Sequence, residues 1–276
     1  MLKQSYRKQI IHTWNEIAPR YHTRVKAGQG PFESTKKMLS MINIANGDRI
    51  LDVACGTGAV SRELLHRVGH DGIVVGIDTS YTALLLAKKY AMGNNFHPVI
   101  CDAEHMRFSS RHFDAATCQF GLFFFSNARK ALKNIKRSLK FDGTLAITVH
   151  GRDTPFYTSL LDAIIKYIPE YKEPGTPDMT RFNTKNALAK QVREAGFSCI
   201  HSTEFTFTYS PGTFEQYWRN YLIFAPKASK AKIDLLDSRQ KKELKEQVRE
   251  NILPFENNKG NIKFPWQIVI VTAKNS

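Results

Sequence analysis

Apolar positions along the chain follow two rhythms that take turns. Short runs such as Ile50-Leu51-Asp52-Val53, Ile73-Val74-Val75-Gly76-Ile77 and Val99-Ile100-Cys101 are nearly continuous, and residues 113–118 and 144–149 are also largely apolar. Runs of this length fit buried strands, and continuous ones fit parallel strands covered on both faces. Between the runs, apolar residues return at three- and four-residue steps: Val60, Leu64, Leu65 and Val68, then Leu84, Leu85 and Ala87, then Ala128, Ala131, Leu132, Ile135 and Leu139. This spacing predicts helices over 58–68, from Ser80 onward, and over 127–139. Strand and helix in alternation across 48–150 predict an α/β core.

The flanks read differently. Residues 3–18 predict a helix with Ile10, Ile11, Trp14 and Ile17 on one face, broken at Ala18-Pro19. A Gly28-Gln29-Gly30-Pro31 loop and a helix over 33–44 follow. After His150, Thr154-Pro155 opens a helix, with proline in the first turn. A Pro/Gly-rich loop spans 169–177, and a helix over 183–195 is closed by Gly196. Phe205, Phe207 and Tyr209 alternate as a strand, residues 213–224 and 233–252 read as helices, and 267–273 reads as a final apolar strand. The expected organisation is a helical segment over 1–45, a core over 46–150, and the rest of the same domain over 151–276, with insertions at about 151–182 and 211–265. No internal repeat or low-complexity tract interrupts this order.

The chemistry concentrates after the first strand. Asp52 stands at its carboxyl end, and Gly56 and Gly58 follow in a tight turn before the next helix. Strand, glycine turn and helix form a nucleotide-binding arrangement, because ligands of open α/β sheets sit beyond the carboxyl ends of the strands. A dinucleotide fingerprint needs a third glycine, and Ser61 stands in its place. A P-loop needs a lysine in the turn, and none is there. Asp78 ends the second strand about 20 residues past the glycines, where a carboxylate can accept both hydroxyls of a ribose.

Composition narrows the setting. The chain has 276 residues, 42% of them hydrophobic, and no stretch approaches the ~20 continuous apolar residues of a membrane span. The first residues lack a signal-peptide core, so a cytoplasmic protein is expected. Cys55, Cys101, Cys118 and Cys199 are scattered and form no Cys-x-x-Cys, so neither a disulfide framework nor a metal site is expected. Forty basic and 25 acidic residues give +15. That balance admits a nucleic-acid partner. The charge is spread along the chain, with Lys3, Arg7 and Lys8 near the start, a run from Arg129 to Lys140, and Lys227 to Arg249, where it alternates with Asp234, Asp237, Glu243 and Glu246 as on a solvated helix face.

With the dinucleotide and P-loop patterns set aside, the run Asp52, Ala54, Gly56, Gly58 resembles the first motif of class I S-adenosylmethionine-dependent methyltransferases, with Ala54 where the family often has glycine. Asp78, Asp102-Ala103-Glu104 and Gln119-Phe120 resemble the family's later motifs in the correct order, and the ordering is similar to the methyltransferase-11 type and to quinone-biosynthesis C-methyltransferases. The resemblance implies a Rossmann-like, seven-stranded, mostly parallel sheet with an antiparallel last strand, helices on both faces, and helical lid insertions. It implies S-adenosylmethionine as cofactor and S-adenosylhomocysteine as product. The cofactor contacts it implies are Tyr21, Asp52, Ala54, Cys55, Gly56, Gly58, Asp78, Thr79, Ser80, Asp102, Ala103, Glu104 and Phe120. In the family the segment around Trp14 and Tyr21 folds over the cofactor, which makes 1–45 a lid. The family often has methionine where Ala83 stands, so Ala83 leaves the adenine wall thinner.

For the acceptor, His150 and Gln119 are the catalytic candidates, with His12 and His22 behind them. Phe123, Phe156, Phe182, Trp218 and Tyr221 are the substrate-contact candidates, and these rings favour a small, partly apolar acceptor. The absence of an Asn/Asp-Pro-Pro-Tyr/Phe motif at Gln119 argues against an exocyclic amino group of adenine or glutamine as acceptor. Two other readings stay open: a tRNA or rRNA methyltransferase, supported by charge, and a non-catalytic nucleotide-binding module. The acceptor's identity, the atom methylated and the oligomeric state are not legible.

Overall fold

The structure, a computed structural model, describes residues 2–26, 32–91, 94–171, 178–224 and 227–276. Its centre is a seven-stranded sheet of order β3-β2-β1-β4-β5-β7-β6. The strands are β1 (Arg49–Val53), β2 (Ile73–Asp78), β3 (Phe96–Ile100), β4 (Phe113–Gln119), β5 (Leu139–His150), β6 (Ser198–Thr213) and β7 (Asn261–Lys274). β1 pairs in parallel with β2 on one side and β4 on the other, β2 with β3, and β4 with β5. β7 pairs antiparallel with β5. The expected mostly parallel sheet with an antiparallel last strand is therefore present. Because strand order reverses between β1 and β4, a crevice opens there beyond the strand ends.

The helices that pack around this sheet follow the predicted apolar faces. α3 (Ala59–Val68) buries Val60, Leu64 and Val68. α4 (Tyr81–Ala91) buries Ala83, Leu84 and Ala87. α5 (Ala128–Ser138) buries Ala128, Ala131, Leu132 and Ile135, and its N-cap Asn127 accepts the Lys130 N–H at 3.0 Å. Full burial of a side chain such as Leu132 or Ile135 stabilises by about 1.5–3 kcal/mol. α7 (Lys185–Glu194) adds Leu188 and Val192 to the same core, and Thr184 caps it.

Two expected helix boundaries differ. α1 (Leu2–Lys26) does not break at Ala18-Pro19. Proline removes only its own N–H. Ala18 and Val25 on either side are buried, Arg20 pairs with Glu16, and the Thr23 hydroxyl donates to the Pro19 carbonyl at 3.1 Å. Local packing thus outweighs a loss of ~3 kcal/mol. The expected helix over 233–252 is two helices, α9 (Lys227–Asp234) and α10 (Ser238–Ile252). Asp237 starts the second through a capping box with Gln240. The strand at 205–209 extends over all of β6. α2 (Phe32–Ser40) is present but ends four residues before the expected 44, while the Gly28–Gly30 loop and residues 172–177 lie outside the described residues.

The chain divides into two compact units. The first comprises residues 1–152, 177–205 and 268–276, and the second 153–176 and 206–267. The pieces of the second nearly coincide with the two insertions read from sequence. In it α6 (Pro155–Tyr167) packs on α10, and α8 (Phe214–Phe224) buries Phe214 and Tyr217. Its centre is aromatic: Phe156 and Phe207 stack on Trp266 at 5.6 and 5.5 Å, and Tyr209 meets Trp266 edge-on. Among the described residues no helix is long and apolar enough to cross a membrane.

The capping box makes a test of the second unit. Asp237→Ala removes a cap worth about 1 kcal/mol, so the melting temperature falls by roughly 2–4 °C. Arg239→Ala removes only the exposed Arg239–Glu243 pair and leaves it unchanged. Thermal unfolding by circular dichroism checks both.

Candidate functional site

A cavity lies in the first unit, beyond the carboxyl ends of β1, β2 and β4. The turn after β1 forms one side. There Gly56 and Gly58 adopt left-handed backbones, φ 54° and 85°. A Cβ on Gly58 would come within 3.1 Å of the Ala87 Cβ, so this turn packs directly on α4. Ala54 and Phe120, both on the cavity wall, are also left-handed, at φ 55° and 53°. For residues with a Cβ that backbone costs about 1–2 kcal/mol, a cost that glycine at the position of Ala54 would not carry.

Three aspartates stand on the wall in distinct states. Asp52 is buried and receives the Ser61 hydroxyl at 2.6 Å and the Thr117 hydroxyl at 2.9 Å. Burial raises its pKa to about 6, against those two hydrogen bonds. Asp78 accepts the Gly56 N–H at 2.9 Å on one oxygen and the Ser80 N–H at 2.8 Å on the other. Burial also raises it, and the backbone donors oppose the rise. Asp102 accepts the Glu104 N–H at 2.8 Å and contacts His105 at 3.0 Å. Arg7 of α1 pairs with Glu104 and approaches Asp102 at 3.6 Å.

α1 covers this opening. Tyr6, Arg7, Ile10, Ile11, Trp14 and Tyr21 all line the cavity. The Tyr6 hydroxyl donates to the Phe124 carbonyl at 3.0 Å. Asn15 Oδ1 accepts the Ser80 hydroxyl at 2.8 Å and the Thr82 N–H at 3.1 Å, so a side chain of α1 caps the first turn of α4. Trp14 meets Tyr21 and Phe124 edge-on, with centroids 5.8 and 5.7 Å apart. Phe120 and Phe125 extend this aromatic wall.

Of the residues expected to contact the cofactor, the cavity gathers Tyr21, Ala54, Cys55, Gly56 and Thr79 with the three aspartates, Ala103, Glu104 and Phe120. Gly58 and Ser80 stand behind it, the first in the turn and the second as a buried link to α4. Gln119 is on the wall and His150 is not. The His150 ring lies under Phe120, stacked at 4.5 Å, and burial lowers its pKa to about 3, so the ring is uncharged at neutral pH and a weak base. Phe123 is buried beside it. Phe182 packs on the core of the first unit with Arg181 over its ring, and Phe156 belongs to the aromatic centre of the second unit. Trp218 is half-buried on α8 beside Ile233 and Lys241, and the side chain of Tyr221 lies outside the described residues.

Sequence reading missed Tyr6, Arg7, Thr57 and Ser126. The helical face of Ile10, Ile11 and Trp14 points to the first two, one turn earlier. Nothing in the sequence singles out Thr57 or Ser126. Their hydroxyls are buried on the cavity wall with no hydrogen-bond partner, which leaves two polar groups for a ligand to satisfy.

A methyltransferase-domain family model matches residues 50–143. A demethylmenaquinone methyltransferase of Lactobacillus johnsonii is 33% identical over 141 residues, 49% of this chain and 58% of that protein. The chain thus spans less than two thirds of that relative's length. A demethylmenaquinone methyltransferase of Staphylococcus epidermidis is 30% identical over 184 residues, 62% of this chain and 76% of that protein. Among solved structures, Haemonchus contortus phosphoethanolamine N-methyltransferase 2, in complex with S-adenosylhomocysteine, shares the fold. Its TM-score is 0.55 at 16% identity, over 89% of this chain and 53% of that one.

The raised pKa of Asp52 gives a pH test. Below about pH 4 the carboxyl is protonated folded and unfolded alike, and its burial as a charge costs nothing. Between about pH 4 and 6 the unfolded chain ionises first, and stability on the order of 3 kcal/mol is lost. Asp52→Asn has no charge to bury. Its stability relative to the parent therefore rises from pH 4 to pH 6 and then stays level, as read from urea midpoints across pH 4–8. A difference independent of pH counts against the assignment.

Proposed function

The chain belongs to the class I S-adenosylmethionine-dependent methyltransferases, and from that premise we propose that it transfers the methyl group to a small, partly apolar organic acceptor. The observation that carries this reading is the pairing, in one cavity, of Asp78 and Asp102 with the aromatic wall of Trp14, Phe120, Phe124 and Phe125. Carboxylates suit the hydroxyls and amino group of a nucleoside. Aromatic faces suit both a sulfonium and a flat apolar acceptor. The relatives named for demethylmenaquinone support a quinone- or quinol-like ring as that acceptor.

When bound, the cofactor supplies a methyl group on a positively charged sulfur, already attached to a good leaving group. The chain's own part is holding and drying the reactants. Asp78 accepts the Gly56 and Ser80 N–H groups on different oxygens, with Thr79 a further backbone donor, and faces the cavity where it can accept from a ribose hydroxyl. Thr57 and Ser126 offer buried hydroxyls to further polar atoms. His150 stays behind Phe120, so the bases on the described wall are the carboxylates of Asp52, Asp78, Asp102 and Glu104. The RNA reading receives no support from the cavity. Its one cation among the described lining residues, Arg7, is paired with Glu104.

α1 acts as a lid in this proposal. With α1 in place the cavity is about 190 Å³, below the roughly 300–1,000 Å³ of typical ligand clefts. The contacts of Tyr6, Arg7 and Asn15 are the ties that must loosen for entry and re-form afterwards.

Two measurements test these statements. Asp78→Ala leaves polar groups unpaired at about 1–3 kcal/mol each, so calorimetry reads S-adenosylmethionine affinity at least about tenfold weaker; unchanged affinity refutes the assignment. Hydrogen exchange of residues 6–26 slows on cofactor binding if α1 closes over it, and equal exchange with and without cofactor removes the lid.

A further inference from the structure

Gln119, the last residue of β4, reaches the cavity wall with its amide held from behind. Ser34 Oγ donates to its Oε1 at 3.1 Å, Thr35 Oγ1 lies 3.2 Å from the same oxygen, and Nε2 donates to Thr35 Oγ1 at 2.9 Å. Ser34 and Thr35 sit on α2 and are 0% and 2% exposed. A helix that only covered the sheet would bury apolar residues at these positions, as α2 does one turn later with Met38 and Leu39. Two hydroxyls kept away from water and satisfied by a half-buried amide are costly to assemble unless the arrangement serves something.

A glutamine amide has two lone pairs and two N–H groups. In this network both lone pairs and one N–H are engaged. One N–H remains, on a residue that lines the cavity. Gln119 therefore shows a ligand a donor and no acceptor.

We propose that this N–H holds an oxygen of the methyl acceptor, a carbonyl or an ionised hydroxyl, and that Ser34 and Thr35 are positioning residues that keep the amide turned that way. The inference rests on the methyltransferase reading and narrows its substrate class. An amine acceptor carries N–H donors on its reacting nitrogen and needs a lone pair opposite, which this amide does not offer. An ionised hydroxyl, its proton released to solvent on binding, gains a direct hydrogen bond. That fits a wall from which His150 is withheld behind Phe120.

The test uses the full chain saturated with S-adenosylhomocysteine, and two probes of nearly equal shape, 1-naphthol and 1-naphthylamine, titrated by fluorescence. The parent binds naphthol at least about tenfold more tightly than naphthylamine, the scale of one hydrogen bond to a charged partner. The excitation spectrum of bound naphthol moves toward that of the naphtholate. Gln119→Glu keeps an oxygen for Ser34 and Thr35 and places a second oxygen where the free N–H was, so the preference reverses. Ser34→Ala with Thr35→Ala shrinks the preference to within about threefold, whereas Thr35→Ser preserves it. If the double variant does not fold, Gln119→Glu decides alone. Equal binding of both probes by the parent, binding of neither, or an undiminished naphthol preference in Gln119→Glu overturns the proposal. Calorimetry with S-adenosylhomocysteine on the same samples separates the two claims. Absence of that binding removes the methyltransferase reading itself. Normal binding without a naphthol preference removes only the role of Gln119.

Discussion

A carboxylate buried between strands is the constraint on which the site depends. Asp52 lies one residue before the end of β1, the strand on either side of which the strand order reverses, and it is opposite Thr117 in the register with β4. The Thr117 hydroxyl reaches it from β4 and the Ser61 hydroxyl from α3. One side chain thus ties together two strands and a helix where the sheet must part to make room for a ligand. Burying it raises its pKa, so the fold carries an electrostatic cost at the site. Two left-handed backbones at Ala54 and Phe120 add strain at the same rim. A buried charge and left-handed backbones beside a cavity are features that cluster at functional sites.

The lid shows how structure at the rim sets dynamics. α1 is a helix of modest amphipathicity whose attachment to the first unit relies on polar ties to the β2–α4 junction, the loop after β3 and the turn after β4. Each tie ends on a group beside the cavity. In the proposed lid role of α1, a ligand that engages Asp102 or Ser80 would compete for the groups that Arg7 and Asn15 contact. The aromatic wall works in the same way from the other direction, because Trp14 belongs to the lid and Phe124 to the turn after β4.

The two units divide their chemistry. The first holds the carboxylates, the glycine turn and Gln119. The second is an aromatic cluster around Trp266, capped by helices. Phe156, read from sequence as a substrate contact, is one of its core rings. Aromatic residues at helical or alternating spacing say only that a face is buried. They do not say whether protein or ligand covers it.

The sequence by itself determined the α/β core, the strand ends that carry Asp52, Asp78 and Asp102, and the helices with strong apolar periodicity. These follow from local geometry: a strand ends where its apolar run ends, and a tight turn needs glycine. The sequence also carried the rings of α1, because helical spacing places them on one face. Tertiary structure alone decided that α1 runs through Pro19, since long-range packing and not local propensity sets that balance. It alone decided that His150 lies behind Phe120, that Arg7 pairs with Glu104, and that Ser34 and Thr35 meet Gln119 across more than eighty residues. Contacts at such separation depend on how elements pack, and no local pattern of hydrophobic and polar positions encodes which polar side chain will meet which.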